Sequence, residues 1–139
     1  MDTSVLKIVL DTNVLIAIIG RRSPYRWIFD RVISGEIVLC VSNDILLEYE
    51  EVLSRKTSPD VAHNILSFID IHPSTVFVKI FFQFALIRSD PDDNKFVDCA
   101  IASDADFILS NDAHFKELDG SRFPSVLAMT VDEFANKYR

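Results

Sequence analysis

The chain has 139 residues, of which 49% are hydrophobic and 25% are charged. These values are typical of one globular domain with a sizeable core, so we expect a single domain over residues 1–139. The net charge of −7 argues against a general nucleic-acid coat protein, which would be basic. It does not argue against an enzyme that concentrates acidic groups in one pocket and holds cations there.

The sequence contains no pattern typical of secretion or of a membrane span. Residues Met1–Ser4 lack the basic and apolar regions of a signal peptide. The apolar run Val76–Ile87 is interrupted by a lysine and a glutamine and is too short to cross a bilayer. Two cysteines, Cys40 and Cys99, make no disulfide framework. We therefore expect a cytoplasmic protein without a membrane partner.

The first half of the chain alternates apolar runs with amphipathic stretches. Val5–Leu10 and Ile37–Val41 predict two buried strands, and Val14–Ile19 predicts a helix that ends at Gly20. The other three helices of this half are predicted to begin at serine caps, which are Ser23 (before Pro24), Ser42 and Ser58 (before Pro59).

The second half continues the alternation. Thr75–Ile80 is rich in β-branched and aromatic residues and predicts a strand, followed by a helical turn over Phe81–Ile87. The remaining predicted elements are a helix after Asp90–Pro91, strands at Phe107–Leu109 and Val126–Met129, and a last helix capped by the box Thr130–Glu133. This order predicts an α/β fold, a three-layer α/β/α sandwich around a mostly parallel sheet of about five strands.

Four acidic residues have positions that suit a shared site. Asp11 directly follows the first strand, and Asp112 follows the strand Phe107–Leu109 after two residues. Ligands of open α/β sheets bind at such carboxyl ends. Glu48 and Asp98 lie in helices that can flank this edge. The ordinary alternatives are helix capping for the two strand-end aspartates and solvent exposure for the glutamate.

Carboxylates brought this close would repel one another unless a hard cation lay between them. Oxygen-rich sites suit Mg²⁺ or Mn²⁺, and such ions can activate water and stabilise a phosphodiester transition state. The set therefore predicts a metal-dependent nuclease. Residues that could contact the phosphate backbone, or simply form solvated surface, are Arg21, Arg22, Arg26 and His114.

Four segments, in order along the chain, resemble the motifs of the PIN (PilT N-terminal) domain family. They are Val9–Leu15, Ser42–Leu53, Asp98–Ala102 with Ala105–Leu109, and Ser110–Phe115. The resemblance runs nearly end to end. It implies that the metal-binding catalytic acids are Asp11, Glu48, Asp98 and Asp112, with Asn13 and Ser110 as supporting polar groups.

Within this family the chain most resembles the VapC-like toxins of toxin–antitoxin pairs, which carry a stretch similar to Asp90–Asn94. That subgroup makes Asp93 a further candidate ligand. Asp93 and Asp98 are five residues apart and point about 140° away from each other on an ideal helix. The resemblance also implies a Mg²⁺- or Mn²⁺-dependent endoribonuclease of single-stranded RNA, a homodimer and a bound antitoxin protein.

Other functions remain compatible with the sequence. A binding or regulatory module with the same scaffold and little turnover would still hold a divalent ion, and a structure-specific DNA nuclease would use the same metals. An aspartyl phosphatase is disfavoured because Asn13 stands where such enzymes usually have a second aspartate. If Phe81, Phe82 or Phe84 is exposed, we expect it in a dimer or antitoxin interface.

Overall fold

A parallel five-stranded sheet organises the computed structural model, which describes residues 5–118 and 125–139. The strands are β1 (Leu6–Leu10), β2 (Ile37–Val41), β3 (Val76–Phe77), β4 (Phe107–Leu109) and β5 (Ala128–Met129). Their order across the sheet is β3-β2-β1-β4-β5, and each neighbouring pair is parallel. The carboxyl ends of β1 and β4 are therefore adjacent on one edge of the sheet.

Helices cover both faces of this sheet. They are α1 (Thr12–Ile19), α2 (Arg26–Ser34), α3 (Asn43–Lys56), α4 (Pro59–Ile71), α5 (Asn94–Ser103) and α6 (Val131–Tyr138), with short 3-10 helices at Pro91–Asp93 and Ala113–Leu118. Every residue of β2 and the last three of β1 are buried. Because successive side chains of a strand point to opposite faces, both faces must be covered. The predicted three-layer α/β/α sandwich is confirmed.

The helix caps were predicted well, with one exception. The Ser42 and Ser58 hydroxyls accept hydrogen bonds from backbone N–H groups in the first turns of α3 and α4, and the capping box at Thr130 is complete. The start predicted for the second helix, directly after Ser23, is wrong, because α2 begins at Arg26. Ser23 instead donates to the carbonyl of Ala17 and stabilises the turn between α1 and α2.

The segment 78–90, which we call the strap, differs most from its prediction. Strand β3 has only two residues, and the predicted helical turn over Phe81–Ile87 is wrong because the strap forms neither helix nor strand. Side chains of α5 take the place of a neighbouring strand. The Asn94 amide pairs with the N–H and carbonyl of Ile87 at 2.8 and 2.9 Å. Within the strap, the side chain of Phe81 is 91% exposed.

Among the described residues, every helix is too short or too polar to span a bilayer.

Tyr49 connects helix α3 to the end of the central strand. Its side chain is completely buried, and its hydroxyl donates a 2.6 Å hydrogen bond to the carbonyl of Leu10. Leu10 directly precedes Asp11 in the chain, so this bond holds α3 beside Asp11.

Replacing Tyr49 with phenylalanine should lower the free energy of unfolding by about 1–3 kcal/mol, because the buried Leu10 carbonyl loses its donor. The matched control is Tyr25→Phe, whose hydroxyl makes a 3.4 Å contact with Asp132 at an exposed pair. The control should change the free energy by less than about 0.5 kcal/mol. Urea denaturation measures both, and equal losses in the two variants would contradict this role of Tyr49.

Candidate metal centre

Asp11 lies at the carboxyl end of β1 and is only 7% exposed. Its backbone N–H bonds to the Leu109 carbonyl at 3.1 Å, which continues the pairing of β1 with β4. Its side chain accepts a 2.6 Å hydrogen bond from the Ser110 hydroxyl and makes no cap hydrogen bond to α1. The capping alternative therefore does not explain this carboxylate.

Three acidic residues meet at the imidazole of His114. Its Nδ1 lies 3.0 Å from Asp112 Oδ1, 3.2 Å from Asp93 Oδ2 and 3.7 Å from Asp90 Oδ2. Ligand atoms of Asp90, Asp93 and His114 all lie within 4.8 Å of one another, a spacing at which they could hold a metal ion. Ser110 joins this group to Asp11, because its Oγ also accepts the N–H of Asp112 at 3.0 Å.

The pKa values of these acids show that they share one electrostatic environment. Burial raises the pKa of Asp11, and the negative charges of Asp112 and Glu48 raise it further, against the hydrogen bond from Ser110. Burial also raises the pKa of Asp93 to about 6, against the hydrogen bond with His114, and the charges of Asp90, Asp112 and Asp11 raise it further. Acids that repel one another in a partly desolvated cleft need a compensating cation.

This donor set fits a divalent ion. Carboxylate oxygens are the ligands that Mg²⁺ and Mn²⁺ prefer. The described groups that lie close enough together to hold one ion are Asp90, Asp93 and His114. Asp112 lies 3.0 Å from the same imidazole, and Ser110 links Asp112 to Asp11.

Glu48 faces this group from α3 but already has partners for both oxygens. The Thr12 hydroxyl donates to Oε2, and the Lys95 ammonium lies 2.6 Å from Oε1. Lys95 also lies 3.2 Å from Asp92. Burial disfavours the charged form of Lys95, but the hydrogen bond and charge of Glu48 outweigh it and raise the pKa. The sequence analysis missed Lys95, since a lysine among acids at a helix start resembles ordinary surface.

Asp98 occupies a different environment. Its side chain is buried and accepts a 3.1 Å hydrogen bond from the N–H of Phe84 in the strap. Burial raises its pKa, against this hydrogen bond, and no other acid among residues 5–118 and 125–139 contributes to the shift. It lines a cavity of about 340 Å³ together with Ser42 and Lys95. The charge of Asp11 therefore affects Asp93, and the ligand role of Asp98 stays a prediction.

The other predicted polar residues lie around the centre or are engaged elsewhere. Asn13 is exposed, accepts a 3.0 Å hydrogen bond from Lys56, and borders a 220 Å³ depression with Asp11 and Asp112. The guanidinium of Arg26 binds Asp30 at 3.0 Å and the Ile19 carbonyl at 2.7 Å. Arg21 and Arg22 lie in the exposed turn after α1, so their contact with substrate stays a prediction.

A family model described as PIN domain matches residues 7–114, a range that covers more than half of the chain and includes every acid of the centre. The chain belongs to the PIN domain family. The recognition made from the four motifs is therefore confirmed.

Two solved structures show the same PIN fold. One is VapBC2 from Rickettsia felis bound to a DNA fragment from its promoter, where a chain is 16% identical and has a TM-score of 0.60. The other is DNA-bound VapBC from Salmonella typhimurium, also at 16% identity, with a TM-score of 0.53. Each match covers 90% of this chain and 98% of the other. No curated protein sequence matches significantly.

Asp93 should make the stability of the metal-free PIN domain depend on pH. With a pKa of about 6 against an ordinary 3.8, the folded carboxyl holds its proton more tightly than the unfolded one. Its contribution to the free energy of unfolding should therefore fall as the pH rises through this window. The melting temperature measured in a chelator from about pH 4 to about pH 7 should fall less steeply in Asp93→Asn than in the wild type.

The matched control is Asp70→Asn on the exposed side of α4, which should keep the wild-type slope. An unchanged slope in Asp93→Asn would show that the Asp93 carboxyl is not perturbed by its surroundings.

Proposed function

We propose that this PIN domain is a metal-dependent nuclease whose Mg²⁺ or Mn²⁺ ion is held by Asp11, Asp93 and Asp112. The observation that carries the proposal is the buried carboxylate of Asp11, which makes no cap hydrogen bond to α1 and has other acids as its electrostatic neighbours. A cation explains why the fold keeps these charges together at the sheet edge. Asp93 takes the place that the sequence analysis gave to Asp98.

The roles of the side chains follow from their contacts. Ser110 holds one oxygen of Asp11 and the backbone of Asp112, so it sets the distance between two ligands. Glu48, with both oxygens engaged, borders the centre and orients a water molecule beside it. A bound divalent ion supplies activation of water and stabilisation of charge on the phosphate. No protein nucleophile is then required.

We further propose single-stranded RNA as the substrate. The 220 Å³ depression at Asp11 adjoins a second depression of about 430 Å³, and both are bordered by Asn111 and Asp112. The second one also contains Lys116, whose ammonium can bind phosphate. An extended strand laid along both depressions would pass its backbone over the acids.

A role as the toxin of a toxin–antitoxin pair, acting in the cytoplasm as a homodimer, is the biological setting that we propose. It is supported by the likeness of the fold to chains of two VapBC structures. It is also supported by the exposure of Phe81 and Phe82 on the strap, which gives a partner protein or a second copy an apolar surface to cover.

Cleavage of a mixed pool of single-stranded RNA with Mg²⁺ or Mn²⁺ tests the nuclease. Asp11→Asn and Asp93→Asn should each lower the rate by at least about 100-fold, because each removes a charged ligand. The matched variant Asp98→Asn removes the same charge from the same helix region and should retain activity within about 10-fold. Circular dichroism verifies that each variant is folded.

Two outcomes would contradict parts of this proposal. Wild-type activity in Asp11→Asn would end the metal-nuclease assignment, and a loss in Asp98→Asn with full activity in Asp93→Asn would return the ligand role to Asp98. Running single-stranded and duplex DNA in parallel tests the substrate. Faster cleavage of DNA than of RNA would overturn the RNA assignment.

A further inference from the structure

Lys95 places a positive charge at the border of the acidic centre, against Glu48. Its side chain is 15% exposed, and its ammonium lies 2.6 Å from Glu48 and 3.2 Å from Asp92. An exposed surface pair between long side chains contributes little and is loosely held. This pair is partly buried on both sides, with 20% exposure of the Glu48 side chain. The position of the ammonium is therefore set by its surroundings.

The Glu48–Lys95 pair is joined directly to the residue at the end of β1. Thr12, which follows Asp11 in the chain, donates its hydroxyl to the other oxygen of Glu48. The negative charge of Glu48 in turn raises the pKa of Asp11. Lys95 thus partly neutralises the acid that would otherwise add to the repulsion around Asp11.

A second divalent ion beside Glu48 would have to displace this ammonium or lie close to it. Both carboxylate oxygens of Glu48 are already engaged, and two cations at such a distance repel strongly where water is partly excluded. Sites that bind two metal ions hold them about 3.5–4 Å apart between shared carboxylates. Lys95 fills the position next to Glu48 that a second ion would need.

We propose that Lys95 is a positioning residue that takes the place of a second divalent ion, so that this centre binds one ion. It keeps Glu48 oriented beside Asp11 and prevents Glu48 from becoming a ligand. This inference rests on the proposed metal centre and adds the number of ions to it. A merely structural lysine, which only held α5 to α3, would leave the number of bound ions unchanged when replaced.

Isothermal titration of the full chain with Mn²⁺ tests the proposal, with Asp11→Asn as the reference that lacks the centre. The wild type should bind one ion more than Asp11→Asn. Lys95→Met, which keeps the aliphatic stem and removes the charge, should bind two more. Lys95→Arg should again bind one more, and so should the control Lys137→Met on α6. The double variant Lys95→Met with Glu48→Gln should lose the second ion.

Two additional ions in the wild type would overturn the proposal whether or not the Lys95 variants fold. A folded Lys95→Met that binds the same number of ions as the wild type would also overturn it, while leaving the metal centre intact. No difference in Mn²⁺ binding between the wild type and Asp11→Asn would refute the metal centre itself, and this inference with it. These results separate failure of the lysine role from failure of the proposed function.

Discussion

A carboxylate at the buried end of the central strand β1 is the constraint on which this structure depends. The core covers both faces of β1, so Asp11 emerges from an apolar interior with little access to water. An ionised group in that position is costly unless hydrogen bonds and opposite charge compensate it. The fold supplies the hydrogen bond from Ser110. In the described part of the chain, the negative charge of Asp11 still lacks an opposite charge, and the proposed cation would provide it.

Sheet topology explains why the other acids gather at the same edge. Because β1 pairs directly with β4, the residues after these two strands are neighbours although 99 positions separate Asp11 from Ser110. The Tyr49 hydroxyl fixes α3 to the carbonyl of Leu10, which brings Glu48 toward the centre. The 3-10 turn directly before α5 adds Asp93 to the same group of acids. Asp11 and Glu48 thus belong to or follow elements that the core holds in place, which keeps their charges close together.

Features that depend on the local order of apolar and polar residues could be predicted from the sequence. Buried strands, cap residues and the strand-end positions of Asp11 and Asp112 follow from apolar runs and from the chemistry of helix starts. The sequence left open whether Asp93 joins Asp98 in the site, because helical phase depends on the residue at which α5 begins. The 3-10 turn Pro91–Asp93 sets that start, and no periodicity in so short a segment could reveal it.

The strap and Lys95 were missed for a related reason, since both depend on tertiary partners. Much of the strap is apolar, yet the N–H groups of Phe84 and Ile87 bond to side chains of α5 and not to another strand. The environment of Lys95 is set by Glu48, 47 residues away in the chain.

The most direct measurement is anomalous diffraction from a crystal of the full chain soaked in Mn²⁺. We expect a peak among the carboxylates of Asp11, Asp93 and Asp112, with the Lys95 ammonium still against Glu48. A peak ligated by Asp98, or a soaked crystal without a peak at the carboxyl end of β1, would contradict it.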